Sequence, residues 1–181
     1  RQEMSRDLEL VRERNRELGL ISKYDELTGL LNLRGFTEQI KNFCSKSEHQ
    51  RAYIICADLD HLKEINDTWG HPAGNFALRS VANIFNGCLR SQDVVARTGG
   101  DEFLILLNCQ EKNFQDIFRK RVRDACAAFN AESGKPFLVE VSLGITEFKP
   151  SPETDIPAII EHADKDLYES KKLRKNSVRR P

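Results

Sequence analysis

The spacing of apolar and polar positions divides the chain into segments of different period. Two apolar runs, Val94-Val95-Ala96 and Phe103-Leu104-Ile105-Leu106-Leu107, flank Arg97-Thr98-Gly99-Gly100-Asp101-Glu102. Runs rich in Val, Ile and Leu joined through Gly-Gly predict a β-hairpin with a two-residue primed turn, whose positive φ angles glycine adopts without strain. Upstream, Ala52-Tyr53-Ile54-Ile55-Cys56-Ala57 is continuously apolar and ends at Asp58-Leu59-Asp60, the pattern of a strand buried on both faces. Leu33, Phe36, Ile40 and Phe43 recur at helical spacing behind Asn32, a capping residue, and predict a core helix through about Ser45. After the strand come a turn and a short helix with Lys63 and Asn66. Gly70 and Gly74 then break the chain before a helix running from Asn75 through Val81, Ile84 and Phe85. Phe114 to about Asn130 reads as a basic amphipathic helix whose arginines form a solvated face. Gly134-Lys135-Pro136 reads as a turn, Phe137 to Phe148 as a strand, and Ile156 to about Leu173 as a last helix entered through Pro150, Pro152 and Pro157.

The resulting order is strand, helices, hairpin, helix, strand, helix. It predicts an α+β fold, a ferredoxin-like plait with a central antiparallel sheet flanked by helices. Ahead of it, Met4, Val11 and Leu18 recur seven apart, with Leu8, Asn15 and Ser22 at the complementary heptad positions. Residues 1–22 therefore read either as a short coiled-coil seam, with Asn15 fixing its register, or as a single solvated helix. Residues 23–181 form the domain proper.

Composition narrows the function classes. A chain of 181 residues with 39% hydrophobic content suits one domain with a proper core. With 28 basic and 28 acidic residues, no global field draws it to nucleic acid or a membrane surface. Five cysteines without a C-x-x-C pair predict reduced core thiols and a cytoplasmic domain. No run suits a membrane span or a signal peptide, and a start at Arg1 suggests a piece of a longer protein, whose own topology stays open.

The candidate chemistry is acidic. Asp58 and Asp60 end a buried strand, where open α/β sheets place ligands. Pairing that strand with the hairpin would bring Asp58, Asp60, Asp101 and Glu102 together. Hard oxygen ligands with no Cys or His pattern beside them suit Mg²⁺, which takes one or two carboxylates plus substrate phosphates. Phosphoryl or nucleotidyl transfer is the chemistry implied.

Six segments then occur in a familiar order: Asp25-Glu26-Leu27-Thr28-Gly29-Leu30-Leu31-Asn32, Asp58-Leu59-Asp60-His61-Leu62-Lys63-Glu64-Ile65-Asn66-Asp67, Gly70-His71-Pro72-Ala73-Gly74-Asn75, Gly99-Gly100-Asp101-Glu102-Phe103, Val141-Ser142-Leu143-Gly144 and Ala163-Asp164-Lys165-Asp166-Leu167-Tyr168. From about Asp25 to Asn176 the chain resembles the GGDEF domain, the diguanylate cyclase family of bacterial signalling enzymes. The resemblance implies a palm-like cyclase core that condenses two GTP into cyclic di-GMP and releases pyrophosphate. It implies a homodimer with active sites face to face, an N-terminal signalling helix that pairs in the dimer, and Mg²⁺ or Mn²⁺ as cofactor. Carried over residue by residue, Asp58, the Leu59 carbonyl and Asp101 hold metal, and Asp101, Glu102 and Lys63 are catalytic. Gly99 and Gly100 let the backbone approach the phosphates, while Lys63, Lys171 and Lys175 neutralise them. Asn66 and Asn75 read the base, and Arg90-Ser91-Gln92-Asp93 matches an inhibitory R-x-x-D site for product.

The chain departs from the family where Asn75 replaces an aspartate and where Arg174-Lys175 replaces glycine-arginine; Leu62 and Leu33 read as packing variations. An amide facing guanine loses one acceptor, at a cost of roughly 1–3 kcal/mol, and complements adenine instead. ATP as substrate and a mixed GMP-AMP product therefore stand beside cyclic di-GMP. Two further classes are a non-catalytic nucleotide-binding regulatory module and a purely structural dimerisation element.

Overall fold

In the computed structural model, the described residues are 22–46 and 51–177, with side chains through Leu173. Apart from Ser22, the helix predicted over residues 1–22 lies outside them, as does the Lys175 side chain. Strand β1 (Ala52–Leu59) lies inside the sheet, as expected of eight residues with none exposed. The hairpin strands β2 (Val94–Arg97) and β3 (Glu102–Leu107) flank it on one side and β4 (Val141–Phe148) on the other, in the order β2-β3-β1-β4 with every pair antiparallel. Among the described residues, helices α1 (Leu33–Ser45), α2 (Leu62–Trp69), α3 (His71–Cys88), α4 (Phe114–Ser133) and α5 (Ile156–Ser177) flank the four-stranded sheet and complete an α+β fold, the plait that the element order predicts.

Alternation along the strands separates two cores. Tyr53, Ile55 and Ala57 of β1 join Phe103 and Ile105 beneath α3 and α4, where Phe85 meets Phe103 edge to face at 5.4 Å. Ile54 and Cys56 instead join Leu104 and Leu106 beneath α1 and α5, packed by Phe36, Ile40, Ala163 and Leu167. All five cysteines are buried free thiols, and burial pushes Cys56 up to about 12 and Cys126 up to about 11. Among the described residues no helix is long and apolar enough to cross a membrane.

Three local expectations are corrected. Arg97 pairs with Phe103 and the Thr98 amide donates to the Glu102 carbonyl at 3.0 Å, leaving Gly99, Gly100 and Asp101 to turn the chain. The hairpin therefore lacks a two-residue primed turn, and neither Gly99 nor Gly100 is among the residues with positive φ. The Arg97 guanidinium donates to the Gly100 carbonyl at 2.9 and 3.1 Å and holds this wider loop in place. Helix α3 begins at His71 rather than Asn75, because Pro72 suits a first helical turn, and Gly74 lies inside the helix. Strand β4 begins at Val141 rather than Phe137. The Asn130 amide brackets both backbone groups of Val139, at 2.8 and 2.9 Å, and removes them from the ladder.

Ahead of α1, which Asn32 caps by accepting from the Gly35 amide at 3.0 Å, residues 22–32 form a turn bound to the hairpin. The Arg97 amide donates to the Leu31 carbonyl at 2.9 Å, and its guanidinium meets the Asp25 carboxylate at 2.9 Å with both side chains under a fifth exposed. Burial raises the Asp25 pKa, but bonds from the Thr28 hydroxyl and amide and the Arg97 charge outweigh it and leave the carboxyl below its usual range. A depressed acid stabilises the fold above its unfolded pKa, and that contribution disappears as pH falls through the folded value. Arg97→Met is therefore expected to lower stability by about 1–3 kcal/mol at pH 7. The loss should shrink towards pH 3 in urea unfolding, and a pH-independent loss would remove the ion pair from the explanation.

Candidate active site

The last turn of β1 brings the acids together. Asp58 lies on the same face of the sheet as Cys56, beneath α5, and its cross-strand partners are Glu102 on β3 and Ser142 on β4. The Leu59 amide donates to the Asp101 carbonyl at 3.0 Å and ties the hairpin loop to the end of β1. Three carboxylates, from β1, β3 and the hairpin loop, thus share one end of the sheet. Burial pushes Asp101 above the usual carboxylate range, as does the Asp58 charge, and the nearby Lys171 offsets only part of this. Burial likewise raises Glu102, together with the charges of Asp58, Asp101 and Asp164. Like charges directly opposite one another in a ladder repel, so this arrangement favours a cation beside it.

One cation belongs to the chain. The Lys171 ammonium donates to Asp58 Oδ2, joining α5 to β1 across the sheet face. Asp60 is held differently: the Ser142 hydroxyl donates to its Oδ1 at 2.7 Å and its amide donates to the Glu140 carbonyl at 2.9 Å. The expected group of four is Asp58, Asp101 and Glu102, with Asp60 tied to β4 but near enough for its charge to raise Asp101 as well. Among the described residues no three His, Cys, Asp or Glu side chains are arranged to hold a metal by themselves. That donor set fits Mg²⁺, which completes its shell with water and phosphate oxygens, and does not fit a structural zinc. Asp58, Asp101 and the Leu59 carbonyl are the oxygens that would hold it.

Helices α2 and α3 build the second half of the site. His61, in the left-handed region at φ 61, turns the chain from β1 into α2 and places Lys63, exposed, in its first turn. Asn66 points at α3, and a Cβ added at Gly74 would overlap its Oδ1 and come within 3.1 Å of Leu62 Cδ1. Gly74 is thus the point of closest approach between the two helices, and it sets half-buried Asn66 against the start of α3 beside half-buried Asn75. On the hairpin, a Cβ at Gly99 would come 2.8 Å from Glu102 Oε2, whereas the space around Gly100 is open. Glu102 is exposed and its carboxylate can turn away from a side chain at position 99, and at Gly100 the backbone is accessible.

Arg90 and Asp93 stand apart, beyond the other end of β2. Both Asp93 oxygens accept backbone amides, from Arg90 at 2.8 Å and Asn108 at 3.0 Å, and close the turn that displays exposed Arg90. Arg121 of α4 reaches the same corner: its guanidinium lies 5.4 Å over the Phe114 ring and donates to the Cys88 carbonyl at 3.1 Å. The α4 arginines are therefore not simply a solvated face. Arg119 and Arg121 each bond the backbone of another element, which charge counting along one helix does not reveal.

Comparison with known proteins bears on this geometry. The family model described as "Diguanylate cyclase, GGDEF domain" matches residues 22–177. A curated relative, diguanylate cyclase A of Treponema denticola, is 37% identical over 126 residues, covering 69% of this chain. The chain spans 34% of the length of that relative. Among solved structures, the diguanylate cyclase SiaD of Pseudomonas aeruginosa, in complex with its activator SiaC, superposes with a TM-score of 0.73 at 31% identity, over 94% of this chain and 66% of that one. The GGDEF domain of DgcB from Caulobacter crescentus, in complex with c-di-GMP, gives 0.71 at 27% identity, over 84% of this chain and 91% of that one.

Proposed function

The chain belongs to the GGDEF domain family of diguanylate cyclases, and we propose from that membership and the site geometry that it condenses two GTP into cyclic di-GMP with release of pyrophosphate. The observation that carries the reading is the meeting of Asp58, Asp101, Glu102 and Lys171, from three elements, at one end of the sheet. Such an accumulation of like charge destabilises a fold and is accounted for by a ligand that brings cations and phosphates.

Each residue then has a task. Asp58, Asp101 and the Leu59 carbonyl would hold Mg²⁺ or Mn²⁺, which when bound would supply charge neutralisation at the α-phosphate and acidify the attacking 3′-hydroxyl. Glu102 lies beside the nucleotide. Lys63 and Lys171 counter the β- and γ-phosphate charge as point cations, and the glycines at 99 and 100, with open space at Gly100, let the phosphates approach. Asn66 and Asn75, on facing helices, read the base edge. One domain binds one nucleotide, so joining two requires a homodimer with sites opposed. Product held by Arg90 and the turn that Asp93 closes, with Arg121 beside it, would restrain turnover.

Asn75 favours a second reading, a cyclase of relaxed purine choice, because its amide presents a donor where guanine also donates. Mass spectrometry of products from GTP, ATP and their mixture with Mg²⁺ tests both. Cyclic di-GMP from GTP alone supports the first reading, and a mixed or adenine product supports the second. No dinucleotide at concentrations that force dimers would favour a non-catalytic binding module. Asn75→Asp is expected to sharpen guanine over adenine selection about ten- to a hundredfold, and an unchanged ratio would show that position 75 does not read the base.

A further inference from the structure

Strand β4 is an edge strand, and half of its backbone groups point away from β1. The Leu59 amide bonds the hairpin, so Leu59 and Ala57 direct their backbone groups towards β3. Leu143, opposite Ala57, and Ile145, opposite Ile55, therefore direct theirs to the open side. Two side chains from opposite faces of the sheet occupy that side. Arg119 of α4 donates from Nη1 to the Leu143 carbonyl at 2.5 Å, and Asp166 Oδ2 of α5 accepts the Ile145 amide at 2.8 Å. The two meet at 2.6 Å, supplying the bonds that a fifth strand would make.

This clasp encloses Gly144, on which α5 rests so closely that a Cβ there would overlap Ala163 O and Leu167 N. Beyond Leu167 no described side chain of α5 is buried, and a cavity of about 370 Å³ lined by Arg119, Ser142, Leu143, Ser170 and Leu173 opens beneath the helix. Apolar packing therefore ends one turn before Lys171. We propose that Arg119 and Asp166 are positioning residues: by clasping the open edge of β4 they fix α5 along and around its axis and so hold the Lys171 ammonium on Asp58. The consequence for nucleotide binding rests on the cyclase reading; the consequence for the Lys171–Asp58 contact does not.

The test uses the whole chain with its lysines ¹³C-methylated, the Lys171 resonance being assigned from Lys171→Arg. In Asp166→Ala that resonance should move to the position of solvent lysines, and in Asp166→Asn, which keeps an acceptor for Ile145 but loses the charge pairing with Arg119, it should move part of the way. A partly exposed ion pair contributes little to global stability, so the thermal midpoint should shift far less than the resonance. With GTP and Mg²⁺, KM should rise about tenfold while kcat changes less. An unmoved Lys171 resonance in both variants, with changes confined to midpoint or self-association, would overturn the proposal and leave the clasp as edge protection alone. If no variant or parent turned over GTP, the resonance would still decide the positioning role while the cyclase reading failed separately.

Discussion

Asp101→Asn should abolish pyrophosphate release from GTP and at the same time make the ligand-free domain more stable at neutral pH. On the cyclase reading Asp101 would hold the metal, and losing such a carboxylate removes several kcal/mol of transition-state stabilisation, on the order of a thousandfold or more in rate. The stability gain has a different cause. Burial and the Asp58 charge raise Asp101 in the fold, so its ionised form is less favourable there than in the unfolded chain. A raised acid costs nothing below its unfolded pKa, and the cost grows as pH rises through the folded value. The Asn variant should therefore unfold at higher urea than the parent at pH 7 and at nearly the same urea near pH 3, with the difference at pH 7 shrinking when Mg²⁺ and nucleotide are added. A variant less stable than the parent at pH 7 would show that the Asp101 carboxylate is compensated within the free domain. Retained turnover would remove Asp101 from the metal set.

Gly144→Val is expected to be the most damaging single substitution for the fold. Gly144 lies on β4 opposite Cys56, facing the α5 core, and the atoms that a Cβ would meet belong to helix backbone, Ala163 O and Leu167 N, as well as Leu167 Cβ. A flexible side chain could turn aside; a hydrogen-bonded helix must move as a body. Its displacement would separate Ala163 and Leu167 from Ile54 and Leu104, break the Asp166 bond to Ile145 and carry Lys171 off Asp58. Overpacking of this kind costs about 3 kcal/mol or more. Equilibrium urea unfolding measures it, and a loss below about 1 kcal/mol would mean that α5 is less tightly seated than this contact requires. Gly144→Ala should fall between parent and Val, with loss of nucleotide affinity exceeding loss of stability if a small helix shift suffices to misplace Lys171.

Much of this architecture is legible in one dimension because its causes are local. The unbroken apolar run before Asp58 specifies a strand covered on both faces, and the 3.6-residue period behind Asn32 specifies a capped amphipathic helix. The order of strands and helices leaves few topologies open, and the carboxylates at the strand and hairpin ends, with hard oxygen donors and no competing Cys or His, indicate divalent metal and phosphate chemistry. What depends on partners distant in sequence is not legible there. The wider hairpin loop depends on Arg97 bonding Gly100, and the late start of β4 on Asn130 bonding Val139. The role of Gly74 depends on Asn66 crossing it, that of Gly144 on a helix seated against it, and the work of Arg119, Arg121 and Asp166 on backbone groups of other elements. By itself the sequence determines which segments form strands and helices and which chemistry they can carry, since periodicity and side-chain type are properties of neighbours along the chain. Only the tertiary structure decides that Asp60 is bound by Ser142 while Asp58 meets Lys171, because two acids two residues apart, one at the end of a strand and one just past it, are distinguished by what packs around that end.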